Sequence, residues 1–177
     1  MNIEYREHIF TEGKLTAALE DLRSPPMPKE VYEKAHQGMV IPTHDAAITY
    51  NGEIILLERT ADPLKGFLWF PGGRIMRGVP TEESLRIKVK SECGLDISDL
   101  EFAGLERAFM PTDPFGHKKG TDTIGPIYFA KGNGEIRLDM SHACVHKVNP
   151  LEYNSLRSKL HPFVKKYTDK LIERLLR

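Results

Sequence analysis

Residues 71–95, PGGRIMRGVPTEESLRIKVKSECGL, run from a Pro-Gly-Gly turn into a periodic segment and stop at a glycine. Thr81 reads as the N-cap of a helix, with Glu82 and Glu83 in its first turn, where carboxylates favour the helix dipole. Leu85, Val89 and Cys93 recur at i, i+4 and i+8 and form its inward face. Lys88, Ser91 and Glu92 make a second stripe, and Gly94 ends the helix in a left-handed cap. A glycine turn followed by a helix with one acid near its end is where a metal or phosphate site would sit.

On the N-terminal side of this segment, MVIPTHDAAITY (39–50) reads as a strand, and Asn51-Gly52 turns it into a second strand, IILLER. FLWF (67–70) is a further short strand that leads into the glycines. Residues 11–37 read as short helices interrupted by the prolines of SPPMPK, an arm laid over the core. On the C-terminal side, 100–110, 123–132 and 143–148 read as strands, with a long Pro- and Gly-rich loop, PTDPFGHKKGTD, between the first two. The final segment, HPFVKKYTDKLIERLLR, is an amphipathic helix with Phe163, Tyr167, Leu171 and Leu175 on one face and Pro162 in its first turn. Strands interleaved with one internal and one terminal helix predict an α/β (α+β) sandwich, divided into an arm (1–38) and one domain (39–177).

The chain has 177 residues with 25 basic and 25 acidic side chains. A net charge near zero argues against bulk binding of nucleic acid. No apolar run has the length of a membrane span, and the first ten residues, MNIEYREHIF, are charged and lack a signal core. The expected location is cytoplasmic, where Cys93 and Cys144 would be reduced thiols.

The span from Gly73 to Leu95 resembles the Nudix box, the signature G-x5-E-x7-R-E-U-x-E-E-x-G-U, in which U is apolar. Gly73, Val89, Glu92, Gly94 and Leu95 match its frame; Val79, Ile87, Lys88 and Ser91 stand where the signature has Glu, Arg, Glu and Glu. The flanking stretch LLERTADPLKGFLWFPGGR is similar to the GDP-mannose mannosyl hydrolase branch, as are GTD (120–122), a histidine at 142 and LHPFVKKY (160–167). The resemblance implies an α/β/α sandwich with a mixed sheet, a loop-helix-loop Nudix helix and a C-terminal helix. It also implies a homodimer and a single Mg²⁺, with Mn²⁺ as the alternative. The implied reaction is attack of water on the anomeric carbon of a nucleotide sugar, releasing a nucleoside diphosphate and the inverted sugar.

Residue by residue, the resemblance makes Glu92 a metal ligand, with the Gly72 backbone carbonyl as a second. The family's glutamine ligand aligns with Ser141 and its general base with His142. Imidazole suits that role because it titrates near neutrality. Arg59 and Arg74 match arginines around the diphosphate, and planar guanidinium forks suit phosphate oxygens. Asp45 matches an acid of the site and interrupts an apolar strand, where a carboxylate needs a partner. Lys88 lies one turn before Glu92, where it would repel a second cation and help neutralise a diphosphate. Each has a plainer reading: Glu92 paired with Lys88, His142 on a surface loop, Arg59 and Arg74 in salt bridges, Asp45 tied to Arg59 or a neighbouring strand. The family's box arginine is Ile87 here, and its diphosphate-binding tyrosine falls near Ile127, beside Tyr128. Trp69 and Phe70 either stack on a base or pack in the core. Two other functions remain open beside the first: a pyrophosphatase that releases a nucleoside monophosphate, and a nucleotide-binding module without catalysis.

Overall fold

The computed structural model describes residues 5–8, 11–12, 15–16 and 19–177. Near the start, β1 (Thr11–Glu12) pairs with β2 (Leu15–Thr16), followed by helices α1 (Leu19–Leu22) and α2 (Lys29–Gly38). The sequence reading gave helices across this whole region. Its first part forms a ladder instead, since very short helices have little intrinsic stability, and residues 13, 14, 17 and 18 lie outside the described set.

The domain is built on β3 (Ile41–Tyr50), β4 (Glu53–Arg59), β5 (Leu68–Trp69), β6 (Gly72–Arg74), α3 (Thr81–Cys93), β7 (Asp96–Met110), β8 (Thr121–Asn133), β9 (His142–Val148), α4 (Tyr153–Arg157) and α5 (Pro162–Leu175). The strands form one mixed sheet in the order β5-β4-β3-β8-β7, with β6 paired to β3 and β9 paired to β4. β3 and β8 run parallel and the other pairings are antiparallel. The Asn51-Gly52 turn has positive φ at both residues, 52° and 81°, the geometry that matches the twist of a tight hairpin.

Each face of the sheet buries its own apolar cluster. Ala46, Ile48, Ile55, Leu57 and Tyr128 pack against Leu85, Val89 and Cys93 of α3. Ala47, Ile54, Leu56 and Ile127 pack against Val164, Tyr167, Leu171 and Ile172 of α5. Because β3 is covered on both faces, its core half reads as a continuous apolar run rather than an alternation. The result is the α/β sandwich that the element pattern predicts, in the α/β/α form with a mixed sheet that the resemblance implies. The apolar face of α5 is wider than the predicted stripe: Val164 and Ile172 join it, while Leu175 is 37 % exposed.

Helix α3 ends at Gly94 as its sequence predicts, but it starts one residue earlier: Thr81 is its first residue and Pro80 stands at the N-cap position. The Thr81 N–H donates to the Glu7 carboxylate from the N-terminal segment at 3.0 and 3.1 Å, so a distant acid satisfies an end that Pro80 cannot cap. At the other end Gly94, at φ 77°, donates its N–H to the Lys90 carbonyl.

Candidate active site

The candidate site is a cavity of about 230 Å³ between the sheet, β6 and α5. Asp45, Arg59, Arg74, Glu92 and Gly72 all line it. Part of its wall comes from segments that local sequence cannot bring together: Tyr32 and His36 of α2, Pro114 of the 111–120 loop, and Glu106 of β7.

Gly72 is the hinge of the geometry. Pairing of β6 with β3 sets it opposite Asp45. Its N–H donates to Glu92 Oε2 at 2.9 Å. A Cβ at this position would lie 2.6 Å from Asp45 Oδ1 and 2.2 Å from the His44 carbonyl oxygen. The missing side chain thus lets two carboxylates from different elements close on one backbone residue. The amide of Gly72 serves Glu92; its carbonyl is the group that the sequence reading offered to a metal.

Glu92 is 9 % exposed. Its Oε1 lies 3.4 Å from Lys88 Nζ, the i, i+4 pairing that α3 permits. Burial raises the Glu92 carboxyl above its ordinary value, opposed by Lys88, the Gly72 amide and His142. Asp45 touches the cavity, yet its carboxyl is surrounded by protein; burial and then the Glu92 charge push it up to about 8, with Arg59 acting in the opposite sense. Two carboxyls that resist ionisation together form a donor set for a hard cation, which would relieve both.

His44, next in sequence to Asp45, points to the α3 face. Its Nε2 is 2.7 Å from Ser84 Oγ, which also accepts the Met76 N–H at 2.9 Å. Burial, with Lys88 nearby, depresses its pKa to about 4, so it is neutral in the fold. This contact fixes β3 against α3 behind the Asp45–Gly72 pair.

The arginines sit on the cavity in different settings. Arg59 Nε donates to the Pro63 carbonyl at 2.7 Å. The Arg74 guanidinium lies 4.0 Å from the centre of the Tyr32 ring, a cation–π contact between the arm and the domain. Trp69 is 7 % exposed and stacks on Phe163, with ring centres 4.7 Å apart. Phe70 is 2 % exposed. The Ile127 side chain belongs to the cavity side, whereas Tyr128 is buried on the α3 face, as strand alternation requires.

His142 and Ser141 lie outside the cavity lining. His142 sits opposite Arg59 in the β4–β9 register and is buried, with Nδ1 2.8 Å from Asp139 Oδ1. Asp139 is itself held at the end of α3, its N–H donating to the Glu92 carbonyl at 3.0 Å. Ser141 is exposed; its N–H donates to Asp139 Oδ1 and its carbonyl accepts from Thr60 N–H. The imidazole is therefore oriented by a carboxylate and near enough for its charge to act on Glu92, while the Ser141 backbone serves the loop.

The buried groups give a signed pH dependence. Asp45 has a folded pKa above its unfolded value, so its contribution to stability is complete at low pH and is lost as pH rises toward about 8. Glu92 acts in the same direction. His44, depressed to about 4, contributes stability above its unfolded value and loses it as pH falls from about 6.5 toward 4. The slopes oppose one another on the acid side, and from roughly pH 6.5 to 8 the Asp45 slope is no longer opposed by His44. Without divalent cations, the urea midpoint is expected to fall across that window, and Asp45→Asn is expected to flatten the fall. An equal fall in the variant would assign it to other groups.

No family model matches the sequence, and no curated protein matches it. Solved structures do match the fold. The NUDIX domain of NrtR from Shewanella oneidensis, determined with ADP ribose, aligns with 84 % of this chain and 99 % of its own at TM-score 0.61 and 16 % identity. A NUDIX hydrolase from Nitrosomonas europaea aligns with 74 % of this chain and 87 % of its own at TM-score 0.59 and 15 % identity. A MutT protein from Methanosarcina mazei aligns with 77 % and 92 % at TM-score 0.56 and 18 % identity. By these likenesses the chain has the fold of the Nudix hydrolases.

Proposed function

We propose that this chain is a hydrolase of nucleoside-diphosphate sugars that uses one Mg²⁺, with Mn²⁺ as the alternative. The observation that carries the reading is the convergence of Asp45 and Glu92 on Gly72, with Arg59 and Arg74 on the same cavity. Two carboxylates whose charges are held back by burial suit a hard cation with oxygen ligands. When bound there, the cation supplies Lewis-acid stabilisation of charge on the departing diphosphate. Arg59 and Arg74 bind the phosphate oxygens as planar forks. Trp69, Phe163 and Tyr32 offer apolar ring surface for the substrate's rings. His142 lies behind the cavity lining; held by Asp139 through Nδ1, it has Nε2 left to accept the proton of the attacking water, which would have to reach it past that lining. Lys88 beside Glu92 disfavours a second cation, which supports attack on carbon over pyrophosphate cleavage relying on a fuller metal cluster.

³¹P NMR of a nucleotide-sugar panel with Mg²⁺ tests this directly. Release of nucleoside diphosphate is the expected result. Nucleoside monophosphate with sugar phosphate would replace the reading by a pyrophosphatase. Binding without turnover would leave a nucleotide-binding module, a reading that the Lys88–Glu92 ion pair favours. Lys88→Gln tests the metal site itself. Removing a cation 3.4 Å from Glu92 is expected to raise Mg²⁺ affinity, by roughly tenfold or more. Calorimetry that shows no gain would mean that Glu92 is not a ligand.

A further inference from the structure

We propose that Glu58, Cys144 and His146 form a second metal site, on the β4–β9 strand pair, for one borderline-soft divalent cation such as Zn²⁺. Cys144 Sγ lies 3.2 Å from Glu58 Oε2 and 3.1 Å from His146 Nε2, and the last two atoms are 3.5 Å apart. A tetrahedral zinc with Zn–S near 2.3 Å and Zn–N or Zn–O near 2.1 Å separates its ligand atoms by about 3.4–3.6 Å. The three donors already stand within a few tenths of an ångström of those edges. No other described His, Cys, Asp or Glu joins the group, so water takes the fourth position.

The backbone explains the convergence. Leu57 pairs with Val145 and Arg59 pairs with His142, so the single residue Glu58 faces two residues, Ala143 and Cys144. This β-bulge turns Cys144 toward Glu58 while His146, two residues on, stays on the same side. The ligand types set the class of metal: a thiolate and an imidazole select zinc-like cations over Mg²⁺. In the metal-free protein the contact with Glu58 raises the Cys144 thiol, as two anions here would repel. Binding replaces that thiol proton: the S–H bond breaks, the proton leaves to solvent, and the thiolate becomes a ligand. The site would clip β4 to β9 at the bulge that sets Arg59 opposite His142.

The test is titration of the full chain with Co²⁺, then Zn²⁺, under a phosphine reductant. Only two cysteines exist, and Cys93 is fully buried with its thiol donating to the Val89 carbonyl, so a thiolate–cobalt band reports Cys144. One equivalent is expected to produce that band with tetrahedral d–d absorption, and Zn²⁺ is expected to displace it. At a hundredfold excess over Kd, Zn²⁺ is expected to raise Tm by about 5–10 °C. Cys144→Ser, a half-buried position, is expected to abolish the band; His146→Gln and Glu58→Gln are expected to weaken binding at least tenfold. No band in the parent overturns the proposal. So does a band that survives Cys144→Ser, or one indifferent to both other variants, which would mark a lone thiolate. Every readout uses metal alone, so failure here is distinct from failure of the proposed hydrolase.

Discussion

Glu92→Gln is expected to fold, to keep Tm within about 3 °C of the parent, and to lose turnover of an accepted nucleotide sugar by roughly a thousandfold. The stability half rests on the chemistry of the buried site. Burial already raises the Glu92 carboxyl, so a neutral amide of the same shape removes a desolvation cost while its carbonyl oxygen still accepts the Gly72 N–H. The lost Lys88 contact is a pairing between a half-exposed ammonium and a carboxylate, and such pairs contribute little. The activity half rests on charge. An amide is a weaker ligand for a hard cation and leaves Asp45 as the remaining carboxyl of the pair at Gly72. A thousandfold loss corresponds to about 4 kcal/mol of transition-state stabilisation, within the range a metal supplies. A variant with normal melting and normal turnover would remove Glu92 from the chemistry. A variant that melts far below the parent would make the carboxylate structural.

The fold was legible where one rule decided one element. The period of Leu85, Val89 and Cys93 located α3, Asn51-Gly52 located the β3–β4 hairpin, and the apolar stripe after Pro162 located α5. Long-range partners were not legible. β6 reads as a turn because its three residues, two of them glycines, have no pattern of their own; only pairing with β3 makes them a strand. The five residues of α4 are likewise too few to show a helical period. The cap of α3 came from Glu7, more than seventy residues away, so the local N-cap rule chose Thr81. At the site, the helical spacing did announce the Lys88–Glu92 pair, and an acid in an apolar strand announced that Asp45 needed a partner. That Asp45 faces Glu92 across Gly72 depends on sheet register, which no local pattern encodes. The roof over the cavity is a still more distant matter. Tyr32 and His36 both meet Phe115 edge to face, and His36 Nδ1 lies 2.8 Å from His117 Nε2. The arm thus closes one wall of the site, a role its proline-broken sequence does not reveal.

Gly72→Ala is expected to damage both the fold and the candidate site. The added methyl would lie 2.2 Å from the His44 carbonyl oxygen and 2.7 Å from the Asp45 Cα, both backbone atoms of the central strand. Neither can retreat cheaply. His44 is anchored to Ser84, Asp45 is in register with Ile127 on the parallel partner β8, and the Ala46 N–H donates to the Pro71 carbonyl. The strain must instead move β6 away from β3, which also breaks the Gly72–Glu92 bond and separates the two carboxyls. Overpacking of this kind costs about 3 kcal/mol, or a Tm lowered by about 6–12 °C in a chain of this length. Gly52→Ala is the control. Gly52 also has positive φ, 81°, but an added Cβ would meet nothing within 4 Å, so it carries only the backbone term of about 1 kcal/mol. Thermal melts of the two variants therefore measure separate quantities: conformation alone at Gly52, and close approach of two strands at Gly72. If Gly72→Ala melts no lower than Gly52→Ala, β6 can yield without loss. The two carboxyls would then not be held together by the backbone, and the geometry that supports a cation between Asp45 and Glu92 would lose its foundation.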